Sequence, residues 1–520
     1  MLLISLLLTA LIASSAIAQP WTPHIIWDQR GAGEQSHFGS QVYALGDQNG
    51  DGYADFAVVS SGTGVPGQIN EPRFDLFHGG NPLDTIPYMT FKGRQSPYRE
   101  LWGAQTIGDM NGDTYTDWWT QYGFGPSDDS IVVEFHWGGA TADTIPDFTL
   151  SFSGDNGWSW VNPLGDINGD SHADFYFYDG GPELSTDVTY VYFGGSPPDT
   201  VPDLIIHSNP IGSQNSLPQA SGDINGDRYG DFLTMTNYVQ PTSYIYFGGN
   251  PPSTVPSQMW PNFDPYPLTM RCDLNHDHKA DLVISRSGTQ RDYLDVHFGR
   301  DTLSPLPDYQ LNFPDCENMA LFLCSVGDIN RDGYDDLVAI SEACNLGWGG
   351  LRLYLGHPWL NPDPILAIDG REPPLNLVGI RWATGLGDVD GDGVEDWAVG
   401  ATNDNFDGLR GRVVILSGDS TLRVDAHEPR VEVPRDLRVT VYPNPFNAEA
   451  TISLDLPGYF PELQVTVFNL LGEVVTQTTL HNVWGPTQYR LDASALSTGL
   501  YLLRVTAGDL QATQKLVLLK

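Results

Sequence analysis

Gly46-Asp47-Gln48-Asn49-Gly50-Asp51-Gly52-Tyr53-Ala54-Asp55-Phe56-Ala57-Val58 sets a nine-residue acidic loop directly before an apolar run. Outward from this stretch the loop recurs. Asp-x-Asn-x-Asp-x-x-x-Asp begins at Asp47, Asp109, Asp166, Asp223, Asp273, Asp328 and Asp388, with Asp390 in place of Asn in the last copy. Successive starts lie 62, 57, 57, 50, 55 and 60 residues apart. A period of roughly 57 residues is too long for a helical hairpin repeat and fits one four-stranded propeller blade with generous loops. The spacing predicts an all-β chain, a closed seven-bladed β-propeller carrying seven acidic loops.

The third repeat shows how one unit is built. Asp166 opens its loop, Asp174 closes it, and Phe175-Tyr176-Phe177-Tyr178 follows as a strand-type aromatic run. Val188 to Phe193 is the next strand, stopped by Gly194-Gly195, and Pro202 leads into the outer strand Asp203-Leu204-Ile205-Ile206. The segment before Asp166 makes the fourth strand. Glycine pairs recur at Gly79-Gly80, Gly138-Gly139 and Gly248-Gly249. The last repeat has no outer strand after Val413-Val414-Ile415-Leu416. Thr22-Pro23-His24-Ile25-Ile26-Trp27, near the start, has outer-strand character and no repeat before it. Pairing these two segments leaves no sheet edge open, and the count then balances at seven blades.

Carboxylates at alternate positions of a tight loop supply the six to eight hard oxygens that Ca²⁺ takes. Positions one, three, five and nine are the expected side-chain ligands. They are Asp47, Asn49, Asp51, Asp55 in the first loop and Asp109, Asn111, Asp113, Asp117 in the second. The third and fourth offer Asp166, Asn168, Asp170, Asp174 and Asp223, Asn225, Asp227, Asp231. The fifth and sixth offer Asp273, Asn275, Asp277, Asp281 and Asp328, Asn330, Asp332, Asp336. The seventh has Asp388, Asp390, Asp392 and Asp396. Position seven is free to add a backbone carbonyl. Position six is Gly52, Gly333 or Gly393 in three loops but Thr114, Ser171, Arg228 or His278 in the others, where a sharp turn costs more strain. The alternative is seven Asx-rich turns without metal. Up to four like charges per turn argue for a counterion, and a structural role for up to seven Ca²⁺ is expected.

Met1 to Ala18 is almost purely apolar and ends Ala16-Ile17-Ala18, which reads as a secretory signal peptide. Only the amino terminus supplies its positive charge, and a short uncleaved anchor is the other reading. No later apolar run reaches the ~20 residues of a spanning helix. The chain holds 65 acidic and 25 basic residues, a formal charge of −40, and lysine only at Lys92, Lys279, Lys515 and Lys520. That balance disfavours nucleic acid and anionic membranes, which need clustered cations. Four cysteines lie in repeats five and six. Cys316 with Cys344 is the preferred of three possible disulfide pairings, against four buried thiols that include Cys272 and Cys324.

Phe38-Gly39 ahead of the first acidic loop resembles the FG-GAP repeat of the integrin α-subunit propeller, over roughly Trp21 to Gly418. Trp102-Gly103 replaces Phe-Gly in the second repeat. The resemblance implies calcium in the acidic loops and an extracellular binding or adhesion role. Some relatives accompany carbohydrate-active enzymes.

The repeat stops at Gly418, and a proline- and charge-marked linker runs to about Leu437. Short alternating strands then fill residues 438–520, suggesting a small immunoglobulin-like β-sandwich. Tyr442-Pro443-Asn444-Pro445-Phe446-Asn447, Asn469-Leu470-Leu471-Gly472-Glu473 and Leu496-Ser497-Thr498-Gly499-Leu500-Tyr501 together resemble the type A sorting domain of type IX secretion. That resemblance implies contact with the secretion machinery and export to the cell surface or medium.

No Gly-x-Ser-x-Gly, His-Glu-x-x-His or phosphate loop occurs. His78, His136 and His297 recur near third-strand ends and read as outward polar positions, with a zinc ring as the alternative. His276 and His278 decorate the fifth loop. Trp118, Trp119, Trp158, Trp160, Trp260 and Trp382 are candidates for recognising a sugar or peptide, against simple packing between blades. The expected function is a non-catalytic surface or secreted protein that binds an extracellular glycan or protein. A polysaccharide lyase or glycosidase and a ligand-free spacer are the alternatives.

Overall fold

The computed structural model describes residues 21–520 except 64–66, 70, 94–99, 124–129, 154–158, 180–187, 208–218, 237–241, 262–271, 287–291, 314–321, 342–348, 359, 371–374, 403–407, 423–436, 457–459, 484–485 and 509. The expected signal peptide, most of the expected linker, Trp158, Cys316 and Cys344 lie outside the described residues. Among the described residues there is no helix, and hence none long and apolar enough to cross a membrane.

From His24 to Ser417 the chain folds into successive antiparallel sheets in a propeller-like series. The first is Phe38–Gly46, Asp55–Ser60, Arg73–Phe77 and Met89–Lys92, in sequence order, and the others repeat that meander. In six of the sheets the acidic loop is the hairpin turn between the first and second strands. The fifth sheet departs from the expected four strands. It has three among the described residues, Leu282–Arg286, Asp292–His297 and Tyr309–Phe313, with an isolated bridge from Cys272 to Asp281 where its first strand would run. Second strands such as Phe56-Ala57-Val58-Val59 are buried along their whole length. They are packed on both faces, which is why they read as continuous apolar runs rather than alternating ones.

The N-terminal strand His24–Arg30 pairs antiparallel with Arg412–Ser417 and completes the last sheet, as the unmatched segments predicted. Asp28 takes a bidentate ion pair from Arg412, with Nε and Nη2 at 2.7 and 2.6 Å. Side chains of the last and first sheets then share one core. Trp27, Val413 and Ile415 pack with Val42, Phe56 and Phe77, and the Trp27 indole meets Phe56 and Phe77 edge-on at 5.3 and 5.4 Å. Its Nε1 donates to Asp84 O at 2.9 Å, so the ring buries its apolar body without stranding the N–H.

Residues 438–518 form two further sheets around a separate core. Arg438–Tyr442, Glu449–Asp455 and Pro486–Asp492 face Val474–Val483, Phe460–Phe468, Gly499–Ala507 and Leu510–Leu518. The Asn444 side chain ties the entry segment to the last strand, accepting from Val517 N and donating to Lys515 O.

Trp27→Ala should destabilise the propeller by about 3–5 kcal/mol, the usual cost of emptying a buried aromatic site. Thermal or denaturant unfolding of the variant checks this, and an unchanged midpoint would mean the closing strand adds nothing.

Candidate functional site

In the first loop Asp47 Oδ1 accepts from the N–H of Gly50 at 2.7 Å and its Oδ2 from Gly52 at 2.8 Å. Asn49 Oδ1 accepts from Asp51 N–H, and Asp51 Oδ1 from Tyr53 N–H. The ninth residue behaves differently. Asp55 is fully buried, with Oδ2 accepting from Gln48 N–H at 2.9 Å and Oδ1 from Gly79 N–H at 2.7 Å. This double bond to the backbone recurs at Asp117, Asp174, Asp231, Asp281, Asp336 and Asp396. One carboxylate thus pins the start of its loop to the end of the third strand. The glycine there is compulsory, since a Cβ at Gly79 would fall 2.4 Å from Ala54 O.

Position six takes a left-handed backbone in all seven loops, at +91° for Gly52 but also +79°, +70°, +74° and +64° for Thr114, Ser171, Arg228 and His278. The strain expected at those four residues is present, and the loop shape is nonetheless kept. In each loop the first Asp accepts the position-six N–H.

Neighbouring loops are joined. Ala54, Ala173, Gly230, Ala280 and Asp335 each donate a backbone N–H to the first Asp carbonyl of the preceding loop, the seventh-to-first step included, at 2.6–3.1 Å. Gln48 bridges the first and second loops, donating to Thr116 O and accepting from Gly139 N–H. Glu395 of the seventh accepts from Asp328 N–H of the sixth at 2.9 Å. Glycine at position four makes room for the neighbour: a Cβ at Gly391 would lie 2.4 Å from the Tyr53 ring, and one at Gly169 2.4 Å from Tyr229.

Burial drives the ninth-position carboxyls upward, against the two N–H bonds that favour the anion, and the first and fifth carboxylates of most loops add to the rise. Asp117, Asp231 and Asp396 are pushed to about 7, and Asp174, Asp281 and Asp336 to about 8. Asp55 is raised too, with the nearby His78 opposing the shift. A cation beside these groups would offset the burial and the crowding, and the oxygen donor set fits a hard divalent ion. Asp388, Asp390 and Asp392 bring carboxylate oxygens within 4.8 Å of one another. The fifth loop differs, because Asp273 is grouped within the same distance with His276 and His278, adding nitrogen donors that suit a softer cation.

The opposite ends of the innermost strands converge on a cavity of about 520 Å³. Its wall takes Gln41 and Tyr43 from the first sheet, Trp102 and Gln105 from Glu100–Gly108, Asn162 from Ser159–Gly165, and Arg381 and Trp382 from Ile380–Gly387. Among the described lining residues there is no Asp, Glu, His or Lys. Burial raises the Tyr43 hydroxyl, which stays a proton donor. Trp382 Nε1 is held by Val42 O at 2.9 Å, whereas Trp102 is 43% exposed.

Other sequence candidates are placed elsewhere. Trp118, Trp119 and Trp260 are buried, and of these Trp119 alone reaches the cavity wall. His136 and His297 are not outward positions, and the three recurrent histidines form no metal group among the described residues. His136 packs by Phe91 and Trp118, and His297 by Trp260, while half-buried His78 stacks on Tyr88 beside Asp55. Cys272 and Cys324 are free thiols sharing one core cluster. Trp102, Arg381, Gln41, Gln105 and Asn162 were not singled out from sequence. The signal for two of them was present, as an indole replacing the repeat's phenylalanine and a cation in a cation-poor chain.

Residues 440–519 match the secretion system C-terminal sorting domain family. Integrin alpha-6 from Gallus gallus is 28% identical over 173 residues, 32% of this chain and 16% of the relative. Integrin alpha-PS2 from Drosophila melanogaster is 36% identical over 105 residues, 19% of this chain and 7% of the relative. The chain therefore spans a small part of the integrin α chains it matches. Among solved structures, BBS1N in complex with ARL6DN aligns with a TM-score of 0.46 at 9% identity, covering 77% of this chain and 98% of that one. The chain joins integrin α-like repeats to a C-terminal sorting domain, and that domain marks it for type IX export to the cell surface or medium.

A pH dependence follows from the buried carboxyls. Folded, they hold a proton to about pH 7–8, whereas unfolded aspartates release it near 3.8. Between those values the folded state binds more protons, so rising pH destabilises it. In protein stripped of divalent cations the melting temperature should fall between pH 5 and pH 8. A flat or rising curve would contradict the burial argument.

Proposed function

We propose that this chain is an exported, calcium-stabilised, seven-bladed β-propeller that binds a ligand outside the cell without transforming it. Residues 1–18 act as signal peptide, 19–418 as the propeller, 419–437 as a linker and 438–520 as an immunoglobulin-like address module. Ca²⁺ would be held by the first, third, fifth and ninth side chains of each loop and would neutralise their crowded charge. The observation that carries the reading is the separation of the two ends. Acidic loops lace neighbouring sheets at one end, and a cavity walled by amides, hydroxyls and aromatic rings lies at the other. Such a wall offers hydrogen bonds, aromatic faces and a guanidinium, the equipment of recognition.

The address module supports the same reading. Leu470 and Leu471 stand 78% and 84% exposed on a turn that Asn469 fixes, its Oδ1 accepting from the N–H groups of Leu471 and Glu473. An apolar pair held outward on a rigid turn suits contact with the export machinery.

Calcium should raise the melting temperature of the stripped protein, each site adding RT ln(1 + [L]/Kd). Replacing Asp166 and Asp170 together by Ala should lower the bound calcium by one ion and weaken that stabilisation. Identical melting curves with and without calcium would overturn the metal reading. Truncation after Gly418 should leave the propeller folded but retained in the periplasm, as cell fractionation would detect. Equal export of both forms would refute the address role.

A further inference from the structure

We infer that the fifth acidic loop is a site for a borderline transition cation of the zinc class, which His276, His278 and Asp273 take in preference to calcium. The inference goes beyond the calcium reading above and leaves it standing for the other six loops. Because the seven loops are copies of one frame, each serves as a control for the rest. Positions four and six are glycine in most of the other copies, and Thr114, Ser171, Arg228 or Arg331 where they are not. The fifth loop alone places an imidazole at either position, and it places one at both. The chain has 12 histidines in 520 residues, so two of them within one nine-residue turn exceed what composition would put there.

The two residues hold a left-handed backbone, at φ +57° for His276 and +64° for His278. Their rings meet on one side of the turn, with centroids 4.9 Å apart and planes at 62°. A nitrogen of each ring and a carboxylate oxygen of Asp273 all lie within 4.8 Å of one another, and His278 Nδ1 is 4.0 Å from Asp273 Oδ2. Two donors bound at ~2.1 Å to one tetrahedral zinc stand ~3.4 Å apart, so small side-chain rotations close the set. Much of that set is already held in place. Asp273 Oδ1 and Oδ2 accept from the N–H groups of Asp277 and His278 at 3.0 and 2.8 Å, and its own N–H donates to Asp335 Oδ2 at 2.9 Å. His276 leans edge-on against Tyr334 of the sixth loop, ring centroids 5.8 Å apart. Donors fixed beforehand lower the ordering cost that an incoming ion meets.

Donor chemistry decides which ion prevails. Calcium takes oxygen ligands and gains little from imidazole, whereas zinc, copper and nickel bind it well. Either ion needs Asp273, so the two compete for this loop, and the two nitrogens tip that competition toward the transition cation. The side chain of His278 is 81% exposed, which leaves the ion a way in and a coordination position for water.

The test is calorimetric titration of the full chain with zinc chloride in excess calcium chloride, on the unaltered protein, H276N, H278N and the double variant. Asparagine accepts a left-handed backbone without supplying an imidazole, so the loop shape is kept and the melting temperatures in calcium alone should agree. The expected result is one zinc per chain bound by the unaltered protein despite the calcium. Its affinity should fall about tenfold or more in each single variant and vanish in the double one. X-ray absorption at the zinc edge should show the outer scattering of two imidazoles. Zinc binding unchanged in every variant would put the ion elsewhere and overturn the inference, and so would an absence of zinc binding against calcium. Neither outcome touches the calcium reading, which melting curves with and without calcium decide separately. Should a variant fold poorly, the absorption spectrum of the unaltered protein still decides, because a shell of oxygens alone would exclude both histidines.

Discussion

The architecture depends on one buried carboxylate per repeat. Asp55 and its counterparts sit under the acidic loops with both oxygens committed to backbone N–H groups. A buried anion is costly unless it is compensated, and two N–H bonds compensate it only in part. The remaining cost explains what surrounds it. The third strand must end in glycine to bring its N–H close, and the loop must take left-handed turns to aim its carbonyl and carboxylate oxygens. The next loop can then dock a backbone N–H onto the first Asp carbonyl. Local loop chemistry and the packing of neighbouring sheets are therefore a single arrangement.

Much of this was legible because the constraint is local. The Asp-x-Asn-x-Asp-x-x-x-Asp spacing, the glycine pair after the third strand and the orphan outer strand at Thr22 to Trp27 are short-range signatures of fixed backbone shape. The cavity was not legible, because its wall assembles from strands more than three hundred residues apart, such as those of Gln41 and Arg381. Aromatic residues misled for the same reason. Trp118 and Trp119 looked available as a pair, but both faces of a second strand are covered, and the exposed indole is Trp102 on a first strand. His136 and His297 lie two residues before glycines, where a sequence suggests solvent. The structure instead buries them among neighbouring rings.

The two ends of the array divide the work. One carries repeated, interchangeable loops whose role is the same in each sheet, and the fifth shows how far substitution can go, with His276 and His278 accommodated at positive φ. The other carries a wall to which several sheets contribute different residues, so that chemistry can vary there without touching the carboxylate scaffold.

Pairing of His24–Arg30 with Arg412–Ser417 also sets an order of events. The ion pair between Asp28 and Arg412 closes a loop of 384 residues, and closing a flexible loop of that length costs about 5 kcal/mol of chain entropy. The first strand of the chain must wait, unpaired, until the last sheet has been synthesised. A chain that emerges amino end first therefore cannot complete this last sheet until nearly the whole propeller has been made. Circularity here doubles as a timer.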